Sequence, residues 1–206
     1  MESFNTEQEE FWAGSFGNEY ISRNNDKNLH AANLNFFSQI IASTSFPIDS
    51  ILELGANIGM NMKALRQLLP ESQLSGLEIN SKAVESLKDN CDHAYQGSIQ
   101  DFNSNETFDL VFTKGVLIHL NPDSLQDTYK KMATLSSKYV LICEYYNPKP
   151  SEIDYRGHKN KLFKRDFAGE FLDLNVGFRL IDYGFSYHRD PNFSQDDISW
   201  FLMSKT

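Results

Sequence analysis

The chain has 206 residues, 40% hydrophobic and 23% charged, with a formal net charge of −9. This suits one compact domain with a sizeable core, and the acidic excess disfavours a nucleic-acid partner, whose phosphates call for a basic face. The start lacks a basic leader and an apolar run, and no stretch is long and apolar enough for a bilayer. A cytoplasmic protein with no membrane partner is expected. Cys91 and Cys143 stand at no metal-ligand spacing and read as free thiols in a reducing compartment, with no metal site.

In chain order, residues 1–49 come first. "TEQEEFW" and "NLHAANLNFFSQIIAST" read as helices, and "AGSFGNEYISRNN" between them as an irregular connection. A segment leading into a first strand in this way is expected to lie over the ligand cleft as a helical lid. From residue 50 to 206, short apolar runs alternate with helical patterns. "SILELG" is a strand, and "MNMKALRQLLP" a helix ended by Pro70. "SQLSGLEIN" is a second strand, and "SKAVESLKDN" a helix with Ser81 as its N-cap. "HAYQG" is a third strand. "TFDLVFTKG" is a fourth, apolar on both faces like a central parallel strand. Asn121 and Pro122 open a helix that runs to about Leu135. "KYVLICEYY" is a fifth strand, and "KRDFAGEFLDLN" a helix ending near Gly177. "FRLIDYGFSY" and "DISWFLMSK" are two late strands with no helix between them, which makes the last one antiparallel. The expected fold is α/β: a doubly wound, mostly parallel seven-stranded sheet with an antiparallel last strand. Its ligand site belongs at the carboxyl ends of the first and fourth strands, where the strand order reverses.

The turn "ELGANIG" strips the backbone bare between a strand and a helix. It departs from the G-x-G-x-x-G pyrophosphate cradle, because Asn57 holds the middle position. Glu53, two residues before Gly55, would repel a pyrophosphate and favour a ligand carrying positive charge. Glu78, at the tip of the second strand, is placed to accept both hydroxyls of a ribose. An adenosine ligand with a cationic head and no pyrophosphate satisfies both acids. S-adenosylmethionine is such a ligand.

The motifs around Glu53–Gly59, Glu78, Ser98 and Thr113–Leu120 stand in the order seen in class I S-adenosylmethionine-dependent methyltransferases, which this chain resembles over most of residues 51–141. The resemblance implies a Rossmann-like methyltransferase fold, and S-adenosylhomocysteine as product. It implies that Gly55, Ala56, Asn57 and Gly59 form the floor under the methionine part, with Glu53 near its ammonium through water. Glu78 would hold the ribose, and Ile79 would pack on the adenine. Ser98 stands where an acid usually meets the adenine amino group, and the Ile99 amide would meet a ring nitrogen. Thr113, Lys114 and Gly115 would lie beside the transferred methyl. A narrower resemblance joins "EQEEFWAGSFGNEYISRN", "LIHLNP" and "CEYYNPKPSEIDYRGHKNKLFKRDFAGEF" to the methyltransferases associated with pseudaminic acid biosynthesis. It implies a small sugar-type acceptor, a nonulosonic acid or its sugar nucleotide. A homodimer is left open.

Some residues keep two readings. His119 is either a general base for an acceptor hydroxyl or a helix-start histidine that only packs. Trp12 and Phe16 read as aromatics docked on the core. Tyr20 and Arg23 face the cofactor, Arg23 as a partner for a carboxylate. Between the fifth strand and the last helix, Tyr145, Tyr146, Arg156 and Arg165 belong to a basic, aromatic run. That run reads as an acceptor pocket for an anion, against the plain alternative of a solvated loop. The rivals to a sugar methyltransferase are a methyltransferase for another small anionic metabolite and a cofactor-binding partner protein without turnover. The N-P-P-Y motif of many nucleic-acid methyltransferases is absent, "TKGV" standing in its place.

Overall fold

The computed structural model describes residues 4–21 and 27–206. Seven strands form one sheet in the order β3-β2-β1-β4-β5-β9-β8. They are β1 Ser50–Leu54, β2 Gln73–Glu78, β3 His93–Gln96, β4 Phe108–Lys114, β5 Ser136–Glu144, β8 Phe178–Phe185 and β9 Ser199–Lys205. All pairings are parallel except those of β9, which runs antiparallel between β5 and β8. The strand order reverses between β1 and β4, so a crevice opens at their carboxyl ends.

Helices cover both faces, which is why the central strands carry apolar residues on both sides. Leu52, Val111, Val140 and Ile142 point to one side, against Tyr129 and Met132 of α6 (Leu125–Leu135) and Phe171 of α7 (Phe167–Asp173). Ile51, Leu110, Phe112 and Leu141 point to the other. There they meet Phe37 and Ile40 of α3 (Lys27–Ala42) and Met62 and Leu65 of α4 (Met60–Leu68). The third helix is thus part of the main body of the domain. Among the described helices, α1 (Glu7–Ala13) and α2 (Ser15–Ile21) sit apart from these two layers, over the crevice.

Three local expectations change. The stretch expected as an irregular connection contains α2. The helix α5 (Ser81–Leu87) is capped by Asn80, whose carboxamide oxygen accepts from the Lys82 and Ala83 amides, and Ser81 is its first helical residue. The helix after β4 begins as two short 3-10 turns, Leu117–His119 and Pro122–Ser124, before α6, with Asn121 capping the second. The run after β5 also contains a small hairpin, β6 (Ser151–Glu152) with β7 (Phe163–Lys164).

Both cysteines are free thiols. Among the described residues no helix is long and apolar enough to cross a membrane. None of the described His, Cys, Asp and Glu side chains cluster in threes to hold a metal ion.

Candidate functional site

A cavity of about 760 Å³ lies at the carboxyl ends of β1, β2 and β4, roofed by α1 and α2. Glu53 forms its floor. The side chain is 1% exposed, and burial pushes its carboxyl up to about 8. One oxygen accepts from Asn61 Nδ2 at 2.6 Å, while Oε2 has no partner. An orphaned buried carboxylate oxygen costs on the order of 1–3 kcal/mol until a donor reaches it.

After β1 the backbone turns through left-handed conformations at Gly55 (φ 79°), Asn57 (φ 49°) and Gly59 (φ 82°). Asn57 stands where glycine is usual, and asparagine is among the few side chains that tolerate this region. A Cβ at Gly55 would lie 2.6 Å from Val116 Cγ2, so the turn also needs that residue's small size. Glu78 holds this turn: its Oε2 accepts from the Asn57 amide at 2.8 Å and its Oε1 from the Asn80 amide at 2.7 Å. A carboxylate offers about four acceptor positions, so lone pairs remain for ligand hydroxyls. Burial raises its pKa, opposed by these amides.

Ile79, Ser98 and Ile99 line the neighbouring end of the cavity, as does Glu9 of α1. The Ser98 hydroxyl is engaged twice, donating to Glu9 Oε1 and accepting from the Gln100 amide.

At the end of β4, Lys114 and Gly115 face the cavity, while the fully buried Thr113 does not reach it. Lys114 donates to Asn33 Oδ1 at 3.3 Å, and burial lowers its pKa. The 3-10 turn that follows hangs from Glu144, whose carboxylate accepts from the amides of Val116, Leu117 and Ile118 at 3.0–3.3 Å. That turn aims His119 at the cavity. The imidazole Nδ1 lies 2.6 Å from the Lys161 carbonyl, which can only accept, so Nδ1 carries the proton and Nε2 keeps its lone pair. Burial pulls its pKa down to about 4 and keeps it neutral.

The far side of the cavity is aromatic. Trp12 packs on His119 and on Tyr20, at centroid distances of 4.5 and 5.3 Å, and Tyr155 lies 4.9 Å from His119. Trp12 therefore belongs to the cavity, and Phe16 to a cluster with Phe11 and His158, not to the core. The core face is already filled by α3 and α4. Trp12 Nε1, Gln8 Oε1 and Gln195 Oε1 are buried lining atoms without partners. Gln8 and Gln195 were not singled out from the sequence, although Gln8 and Trp12 are one helical turn apart.

Of the expected anion pocket, Tyr145 and Arg156 line the cavity. The Tyr145 hydroxyl donates to Asp196 Oδ2 at 2.9 Å, and Arg156 lies over the Tyr155 ring at the rim. Arg165 does not join them: its Nε pairs with Glu170 at 2.7 Å, a partner one helical turn into α7. Tyr146 packs outward on Phe201. Arg23 lies outside the described residues.

The strand order, the crevice and this carboxylate-flanked turn have the form of the Rossmann-like methyltransferase fold. The family model described as Methyltransferase domain matches residues 51–138, from β1 into β5. Solved structures share the class I fold along nearly the whole chain. Magnesium protoporphyrin IX methyltransferase from Synechocystis PCC 6803, with bound S-adenosylmethionine, is 12% identical, covers 100% of both chains and has a TM-score of 0.72. A Leishmania major S-adenosylmethionine-dependent methyltransferase is 16% identical, over 97% of this chain and 82% of that one, with a TM-score of 0.70. The plantazolicin methyltransferase BpumL, with S-adenosylhomocysteine, is 12% identical over 97% and 94%, with a TM-score of 0.68. No curated protein matches the chain in sequence.

Proposed function

We propose that the protein transfers a methyl group from S-adenosylmethionine to a small anionic acceptor, a nonulosonic acid sugar or its sugar nucleotide. The observation that carries the cofactor reading is the pair of buried carboxylates flanking the left-handed turn. The orphaned Glu53 oxygen faces the place of an ammonium, and Glu78 has lone pairs left for ribose hydroxyls. Ile79 and Ile99 give the adenine apolar faces, and Gly55, Ala56 and Gly59 let the backbone approach the methionine part. When bound, the cofactor supplies an electrophilic methyl on a sulfonium.

The chain's own residues position and desolvate the acceptor, which accounts for much of the rate in such displacements. His119 Nε2 accepts the hydrogen of the acceptor's nucleophilic group and takes the proton as that group reacts. The faces of Trp12 and Tyr155 suit a sugar ring. Arg156 at the rim and Lys114 on the floor supply cations for an acidic acceptor, in keeping with the resemblance to the pseudaminic acid-associated family. In this reading α1 and α2 act as the lid, and residues 50–206 with α3 as the body.

The test is titration with S-adenosylhomocysteine and with NAD, followed by methyl transfer to a nonulosonic acid and to a neutral hexose. Binding of S-adenosylhomocysteine alone and turnover of the acid alone are expected. Binding of NAD instead would overturn the cofactor reading. Cofactor binding without turnover of any acceptor would leave a binding protein.

A further inference from the structure

Glu9 has no role so far, yet its placement is unusual. It is carried on a seven-residue helix over the crevice, but is only 8% exposed. It forms no ion pair among the described residues. Its Oε2 accepts from the Asn5 amide at 2.7 Å, its Oε1 takes the Ser98 hydroxyl, and its own amide meets Thr6 Oγ1 at 3.2 Å. These bonds fix the carboxylate on the cavity wall and leave some of its acceptor positions open.

Beside Glu78, on the tip of β2, the cavity continues past the end of β3. A ribose held at Glu78 leaves that end of the cavity for the base. There Ile79 and Ile99 provide apolar surface, and Ser98 and Glu9 close the polar edge. A cation-free carboxylate at that edge calls for a hydrogen-bond donor.

We propose that Glu9 receives the exocyclic amino group of the adenine, so that a residue of the N-terminal helix, and not of the sheet loops, selects an amino purine. This rests on the cofactor reading above. In this reading Ser98 orients Glu9, and Glu9 takes the place of the sole acceptor for the base. A 6-oxo purine would set its carbonyl oxygen against the carboxylate and be rejected.

Titration of the intact protein with S-adenosylhomocysteine and with its 6-oxo analogue, S-inosylhomocysteine, tests this by affinity alone. Wild type should favour the amino compound by roughly ten- to a hundredfold, the worth of one charge-assisted bond. Glu9→Gln, whose carboxamide both donates and accepts, should weaken S-adenosylhomocysteine and bring the two ligands within about threefold. Ser98→Ala should keep most of the wild-type preference. Unchanged preference in Glu9→Gln, or a preference lost in Ser98→Ala alone, overturns the assignment. A wild type that binds neither compound removes the cofactor reading, and this proposal with it. A wild type that binds both equally removes only the proposal.

Discussion

Glu53 and His119 are both buried, and burial moves each toward its neutral form, with opposite consequences for ligands. Glu53 holds its proton up to about 8, so at neutral pH it is largely protonated until a cation arrives. An ammonium beside Oε2 favours the charged form, so binding should release about one proton near pH 7 and tighten as pH rises toward 8. Calorimetry in buffers of different ionisation enthalpy reads that proton directly. Glu53→Gln should weaken S-adenosylhomocysteine by about 1.5–3 kcal/mol and abolish the release. Proton-free binding in the wild type would show that no cation sits there. His119, pulled down to about 4, stays neutral across the range in which an ordinary histidine titrates. Turnover should therefore show no acid limb near pH 6.5, and His119→Ala should lower kcat with little change in KM. An inflection near 6.5 that disappears in the variant would place the imidazole in water. The two arginines part ways on their contacts. Arg156→Ala should raise the acceptor KM by roughly tenfold, consistent with one charge-assisted bond, while Arg165→Ala loses its pair with Glu170 and leaves KM alone.

Among the elements, the 3-10 turn Leu117–His119 depends on Glu144, and Glu144 depends on pH. Its carboxyl is pushed up to about 7 by burial, opposed by the amides it accepts from. The folded state thus holds a proton that the unfolded chain, titrating near 4.5, has lost. The stability this group contributes is full below about 4.5 and falls away as pH rises through about 7. Denaturant unfolding of the apo protein from pH 4.5 to 8 should show this decline, to which the likewise raised Glu53 also contributes, and Glu144→Gln should make it shallower. A slope unchanged in the variant would assign the whole decline to the other buried acids. Much of the main sheet could be read from the sequence, because strands buried on both faces and short helices between them leave continuous apolar runs. The motif acids and glycines fell where the strand ends put them. Much of what was missed lies in α1 and α2. The stretch holding Gly14 and Gly17 read as an irregular connection, yet it contains α2, and a Cβ on Gly17 would come within 1.8 Å of the Trp12 carbonyl oxygen. That glycine answers a close approach between two helices, a tertiary fact with no local trace. Trp12 was misread for a related reason: an amphipathic pattern marks a packed face but does not say whether it packs on a core or on a cavity.

At the scale of the whole molecule, the first two helices bridge the two halves of the cavity. On the cofactor side, Asn80 Nδ2 donates to the carbonyls of Trp12 and Ala13 and to Asn18 Oδ1, at 3.1–3.3 Å. On the acceptor side, Gln8 Nε2 donates to the Asn160 carbonyl at 3.0 Å, and Lys161 pairs with Glu7 at 3.2 Å. The Lys161 carbonyl is also what orients His119. Closure of α1 over the cavity and the setting of the imidazole thus share a loop. Asn80 is where this bridge can be cut selectively, because its two side-chain atoms do different work. The oxygen caps α5, and the nitrogen holds α1 and α2. Asn80→Asp keeps the cap and sets a carboxylate against three acceptors, so the loss falls on the bridge, at about 1–3 kcal/mol. Hydrogen exchange in residues 7–21 should accelerate by roughly five- to a hundredfold while the strands β1, β4 and β5 keep their protection. S-adenosylhomocysteine should dissociate faster in the same variant, since α1 roofs its site. Protection of residues 7–21 that matches wild type would show that the helices are held by their aromatic contacts alone, and that the hydrogen bonds of Asn80 do not control the opening of the cavity.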